Sequence, residues 1–216
     1  MPQSKKVIGV DESGKGDFFG PLVIASFYAE DDDRIILKSL GVKDGKSISE
    51  KKILQIDEDL RADFKYSVRV IYPEEYNRLY KKIKNLNILL AEGHAHVIDD
   101  LSQRCDAELA ISDKFGKSEL IEDALEKRKN KIELRQFVKG ESYIQVAAAS
   151  ILARAAFINA MYELSEKIGF DLPRGAAPLV DKAGRELVAE RGDDILEKVG
   201  KLHFKNYKRI TDLTLF

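Results

Sequence analysis

Val7-Ile8-Gly9-Val10-Asp11-Glu12-Ser13-Gly14-Lys15-Gly16-Asp17-Phe18-Phe19-Gly20-Pro21 sets two adjacent carboxylates at the end of a short apolar run and follows them with a glycine-lysine-glycine loop. Val7, Ile8 and Val10 are β-branched, the composition of a buried strand. Asp11 and Glu12 fall where the strand runs out. Inside a buried strand an acid is a costly unpaired charge, whereas at the strand's carboxyl end it can face a crevice and hold a cation. Gly14 and Gly16 remove side chains on both sides of Lys15, so backbone N–H groups can approach a ligand closely while the ammonium reaches a phosphate. The segment reads as a metal site beside a phosphate grip.

Two other readings compete. A glycine-rich turn can join two hairpin strands and do nothing more. Gly9, Gly14 and Lys15 also fit the G-x-x-x-x-G-K of a nucleotide-binding P-loop, with Leu109-Ala110-Ile111-Ser112-Asp113 as the strand carrying the magnesium acid. Three features disfavour a P-loop nucleotide hydrolase. Gly16 stands where that loop needs a Ser or Thr hydroxyl for the metal. Asp11 and Glu12 point negative charge into a cradle meant for phosphates. Gly20-Pro21 bars a long helix directly after the loop, so no helix amino terminus supplies its dipole.

The 216 residues, 44% of them hydrophobic, suffice for one sizeable α/β domain. No Pro/Ser-rich linker, repeat or low-complexity tract marks an internal boundary, so a single domain over 1–216 is expected, its carboxyl-terminal part from roughly residue 170 being helical. Cys105 is the only cysteine; it excludes an internal disulfide framework and a cysteine-based zinc site and fits a reducing compartment. We expect no membrane span and no signal peptide, hence a cytoplasmic protein, and nothing points to an oligomer, so a monomer is the default expectation. The net charge of −1 lacks the basic footprint of a bulk nucleic-acid binder. Three local basic runs remain: Arg78, Lys81, Lys82 and Lys84; Lys127, Arg128, Lys129 and Lys131; and Lys201, Lys205, Lys208 and Arg209. Each reads first as a solvated face.

Farther along, Leu22 to Tyr28 reads as a second strand in a hairpin with the first. A helix starts at Ser49 or just before it, with Ile53, Leu54 and Leu60 on its apolar side, Tyr66 to Tyr72 alternates as a strand, and Pro73-Glu74-Glu75 opens another helix. Leu86 to Leu101 is helical and contains His94 and His96, whose i, i+2 spacing puts them on different faces and assigns them to packing or surface. Ala107 to Ser112 is a short apolar strand ending at Asp113, which repeats the logic of Asp11. Ile132 to Val138 alternates as an outer strand. Glu141 precedes the small-residue helix Val146 to Arg154, although the helix dipole alone favours an acid there. Three acidic stations, two at strand ends and one before a buried helix, are what a two-metal phosphodiesterase needs, because Mg²⁺ takes oxygen ligands and keeps several waters.

With these residues quoted, the chain resembles the type 2 and type 3 ribonucleases H, the type 3 branch, ribonuclease HIII, most of all. The opening Asp-Glu-Ser-Gly-Lys-Gly from Asp11 to Gly16 is similar to that branch's signature, and the likeness recurs in Asp44-Gly45-Lys46, Asn85-Leu86-Asn87, Leu90-Ala91, Ser112-Asp113, Glu141-Ser142-Tyr143, Ala148-Ala149-Ser150-Ile151 and Leu202-His203-Phe204-Lys205-Asn206. The resemblance implies a ribonuclease H-like fold, α/β, with a mixed five-stranded sheet flanked by helices and a helical carboxyl-terminal extension. It implies that Asp11, Glu12, Asp113 and Glu141 bind metal and catalyse, Glu141 aligning only after a one-residue shift, and that Gly14, Lys15, Gly16 and Lys46 contact substrate. It further implies endonucleolytic cleavage of the RNA strand of RNA–DNA hybrids with two Mg²⁺ or Mn²⁺ ions, leaving 5′-phosphate and 3′-hydroxyl ends. A type 2-like activity at single ribonucleotides or RNA–DNA junctions is the alternative within that chemistry. Type 3 enzymes usually carry a separate amino-terminal substrate-binding domain, whereas here the motif begins at Asp11, and the near-neutral charge leads us to expect weak, salt-sensitive substrate binding.

Overall fold

The computed structural model describes residues 5–43 and 48–212. Its elements are β1 (Lys6–Ser13), β2 (Leu22–Glu30), α1 (Arg34–Leu40), α2 (Glu50–Asp63), β3 (Tyr66–Ile71), α3 (Pro73–Ile83), α4 (Leu86–Ser102), β4 (Leu109–Asp113), α5 (Glu119–Lys127), β5 (Glu133–Phe137), α6 (Ile144–Ile168), α7 (Pro178–Arg191), α8 (Ile195–Val199) and α9 (Lys205–Thr211). The strands form a mixed five-stranded sheet in the order β3-β2-β1-β4-β5, flanked by helices, which is the architecture the resemblance implies. β1, β4 and β5 run parallel, Val7 pairing with Leu109 and Leu109 with Glu133. The helix starts follow local chemistry: the Ser49 side chain accepts from the Lys52 N–H, that of Asn85 accepts from Asn87 and Ile88, and Pro73 occupies the first turn of α3.

Two compact units emerge. One comprises the described residues up to Ser13, then Ile24–Arg69 and Asn85–Ala156; the other comprises Gly14–Val23, Val70–Lys84 and the described residues from Phe157 onward. Each collects three separate stretches, so there is no single boundary for a linker to mark.

In the first unit the sheet is clamped between helices at close range. A Cβ on Gly9 of β1 would lie 2.1 Å from the Gln145 carbonyl carbon and 2.3 Å from the Val146 nitrogen, so the first turn of α6 rests directly on the strand backbone. The run of alanines that follows, Ala147 to Ala149, is buried and keeps the helix low over the sheet. The Ser26 hydroxyl of β2 donates to the Val97 carbonyl of α4 at 2.8 Å. Among the described residues one helix has the length and apolarity to cross a membrane: α6, with 25 residues, of whose most apolar window 72% is buried inside the fold. A core helix passes the same length and hydropathy test as a membrane span when it is covered on nearly all sides.

Candidate active site

β1 continues through Asp11 and Glu12 to Ser13, past the point where its β-branched run ends. Val10 is paired with Ser112 of β4, so Asp11 and Asp113 are the next residues along adjacent parallel strands. Side chains alternate along a strand, and the contacts follow that alternation. Asp11 bonds Ser150 of α6, whereas Glu12 Oε2 lies 3.0 Å from Nε2 of His94 on α4. One Asp113 oxygen accepts the Gly140 N–H at 2.9 Å, which fixes the short 3₁₀ turn Gly140–Ser142 that carries Glu141. The structure thus brings Asp11, Glu12 and Asp113 to one carboxyl edge of the sheet and sets Glu141 in the turn tied to Asp113. Among the described residues, no three Asp, Glu, His or Cys side chains form a ready-made ligand cluster.

Crowded charge marks this edge. Burial, and then the neighbouring Glu12 carboxylate, push Asp11 up to about 6, and the Ser150 and Glu12 N–H bonds offset only part of this. A divalent cation relieves such repulsion, and a donor set of carboxylate oxygens alone suits hard ions such as Mg²⁺ or Mn²⁺. The residues therefore fit the metal chemistry.

His94 was assigned by the sequence to packing or surface, and it is packed, with a polar role besides. Its side chain is fully buried between Glu12 and Ser112, whose Oγ lies 3.1 Å from Nδ1, and the Phe115 ring covers it at 4.8 Å. A carboxylate only accepts hydrogen bonds, so Nε2 carries the proton and donates to Glu12. The spacing Leu90, His94, Ile98, Leu101 could have shown that His94 sits on the buried face of α4; nothing local names its partner. His96, two residues on, is exposed.

In the second unit, the loop after β1 is held by residues far along the chain. The Gly20 N–H donates to Val199 and the Lys201 N–H to Phe18, with Phe19 bridged to Gly200. The Gly175 N–H donates to Asp17 Oδ1 at 2.6 Å. Lys201 Nζ donates to the carbonyls of Asp17 and Gly20 at 2.8 and 2.7 Å. Sequence reasoning placed Lys201 on a solvated basic face; it is fully buried and belongs to the loop's framework. Another member of that run, Arg209, is tied to Asp181 at 2.6 Å. The loop leads into β2 with no helix after it, which removes the geometry a P-loop requires. Lys15 and Gly16 are exposed. Lys46 and the Asp44-Gly45-Lys46 motif lie outside the described residues.

Burial pushes Lys201 down to about 7 against the opposing pull of Asp17. A pKa below that of the unfolded chain means that the unfolded state holds the proton between about pH 7 and 10.5 while the folded state sheds it. The stability contribution is therefore complete above about 10.5 and lost as pH falls through about 7. Thermal melts should show the protein gaining a few degrees in Tm between pH 7 and 9 relative to Lys201→Met; parallel pH curves for the two proteins would refute the assignment.

A family model described as Ribonuclease HII matches residues 8–207. Ribonuclease HIII of Chlamydia felis is 46% identical over 210 residues, which cover 95% of this chain and 69% of that protein. Among solved structures, Bst-RNase HIII in complex with Mn²⁺ superposes with a TM-score of 0.90 at 32% identity, over 95% of this chain and 69% of that one. Aquifex aeolicus RNase H3 gives 0.77 at 29% identity, over 93% and 73%. The family match over nearly all of the sequence, the relatives and the superposed structures agree: the chain belongs to the ribonuclease HII/HIII family of ribonuclease H enzymes.

Proposed function

We propose that the chain is an endoribonuclease that cleaves the RNA strand of RNA–DNA hybrids, using Asp11, Glu12, Asp113 and Glu141 as metal-holding acids. The observation that carries this reading is the parallel pairing of Val10 with Ser112, after which Asp11 and Asp113 are the next residue on each strand, Asp11 being pushed up to about 6. Two divalent cations held by these acids would supply an activated water and a stabilised leaving 3′ oxygen, giving 5′-phosphate and 3′-hydroxyl ends. The acids act as ligands, His94 orients Glu12, and the Gly140 N–H orients Asp113. Gly14, Lys15, Gly16 and Lys46 are assigned to the substrate, the glycines letting main-chain groups read the ribose 2′-hydroxyl, the feature that separates RNA from DNA at one position.

The test is cleavage of a labelled hybrid with Mg²⁺ or Mn²⁺. Deoxyribose at the cleaved position should stop the reaction, and a duplex holding a single ribonucleotide should be a poor substrate. Efficient nicking of that duplex would move the assignment to the type 2-like activity, and absence of any hybrid cleavage with either metal would end the proposal.

The two loop glycines serve different ends, which yields a second test. Gly14 has φ +83°, and a Cβ there would meet the Pro21 carbonyl at 2.3 Å, so the fold demands glycine. Around Gly16 a Cβ would meet nothing within 4 Å, and its φ is ordinary. Gly16→Ala should leave stability within about 0.5 kcal/mol while lowering hybrid cleavage. Unimpaired cleavage would remove Gly16 from the substrate contacts.

A further inference from the structure

In the second unit, α3, α8 and the segment after α8 enclose a groove of about 690 Å³. Its floor is aromatic: the His203 ring stacks on Tyr80 with centroids 4.1 Å apart and an interplanar angle of 23°. Buried Tyr76 stacks behind Tyr80, and Phe204 meets the His203 ring edge-on, so the platform is fixed from two sides. His203 itself is exposed. Burial of its stacked side and the Lys201 charge push His203 down to about 4, so it is an uncharged flat ring at neutral pH.

Arg78, Lys81 and Lys84 line the same groove, spaced three residues apart along α3 and its carboxyl-terminal cap, and all three are exposed. None of them is held in a salt bridge among the described residues. Cations at a helix carboxyl terminus are favoured by the dipole alone, but that accounts for neither the exposed aromatic platform nor the cavity. Asn77 gives the groove rigidity instead of a contact, because its amide is occupied by the Gly200 carbonyl and the Leu202 N–H at 2.9 and 3.0 Å. Glu74 and Glu197 also line the groove, so the attraction it offers to an anion is local.

A stacking surface next to a short row of cations is the combination that holds unpaired nucleic acid, since every base has a π-face and every nucleotide a phosphate. We propose that this groove binds a single-stranded stretch of nucleic acid, one base stacking on His203 and neighbouring phosphates lying on Arg78, Lys81 and Lys84. The inference rests on the reading that the chain acts on nucleic acid. It uses none of the acids assigned to hydrolysis.

The experiment measures binding of the whole chain to a fluorescein-labelled oligothymidine by anisotropy, in EDTA, across a series of KCl concentrations. The unaltered protein should bind in a salt-dependent way. Replacing all three cations with Gln (Arg78→Gln, Lys81→Gln, Lys84→Gln) should make the slope of log affinity against log salt shallower by about 2, from three phosphate contacts at roughly 0.7 each. His203→Ala should weaken binding about tenfold with the slope unchanged, and His203→Phe should restore it. Thermal melts of each variant control for folding, and Lys81→Gln alone, with a slope change of about 0.7, stands in if the triple variant does not fold. No binding by the unaltered protein, an unchanged slope in the Gln variants, or full binding by His203→Ala would each overturn the proposal. Because EDTA removes any dependence on hydrolysis, failure here leaves the nuclease reading standing. Failure of hybrid cleavage with metal present leaves the binding result standing in turn.

Discussion

Asp113→Asn should fold like the unaltered protein and lose hybrid cleavage by about 10³-fold or more. Asparagine keeps the shape of the side chain and an oxygen that can accept the Gly140 N–H, so the 2.9 Å bond that fixes the turn before α6 survives. What disappears is one negative charge at an edge where Asp11 and Glu12 already repel each other. In the proposed ligand role that charge would be worth several kcal/mol in the transition state, and each 1.36 kcal/mol is a factor of ten in rate. Steady-state cleavage in saturating Mn²⁺, paired with a thermal melt, separates loss of chemistry from loss of fold. Retained cleavage in a well-folded Asp113→Asn protein would remove Asp113 from the site.

Gly9→Ala should act in the opposite way, through the fold. The added methyl would sit 2.1 and 2.3 Å from main-chain atoms of Gln145 and Val146, which cannot rotate aside as a side-chain tip can. Either α6 lifts from β1 or the strand bends, at about 3 kcal/mol or more, which for a chain of this size corresponds to a fall of roughly 10 °C in Tm. Cleavage at low temperature should fall as well, because α6 carries Ser150, the hydrogen-bond partner of Asp11. A melt within about 2 °C of the unaltered protein would show that helix and strand are less tightly apposed than the backbone distances indicate.

The parts of the site that were legible in the sequence are those written in local chemistry. A β-branched run ending in Asp11-Glu12 and an apolar run ending in Asp113 specify strands and the acids at their ends, and β1 and β4 form as expected. The ordering β1-β4, which sets Asp11 beside Asp113, depends on a pairing between segments about a hundred residues apart, and no local pattern encodes it. His94 shows the same limit. Helical spacing can reveal that it is buried, but its partners Glu12 and Ser112 lie on two different strands. α1 and α5 were not anticipated: α1 exposes Ile35 and Ile36, which blurs its periodicity, and α5 is only nine residues long. Lys201 misled the reading because a lysine in a basic run looks solvated, and only backbone carbonyls supplied by distant residues make its burial tolerable.

The clamp that Lys201 forms on Asp17 and Gly20 reaches across 184 positions of the chain. A ribosome adding roughly 5–20 residues per second takes on the order of ten to forty seconds to travel that distance. Throughout that interval the nascent loop exists without the ammonium that later holds the carbonyls of Asp17 and Gly20. The loop is therefore fastened only after Lys201 has been added, and a polypeptide released before that point leaves it open.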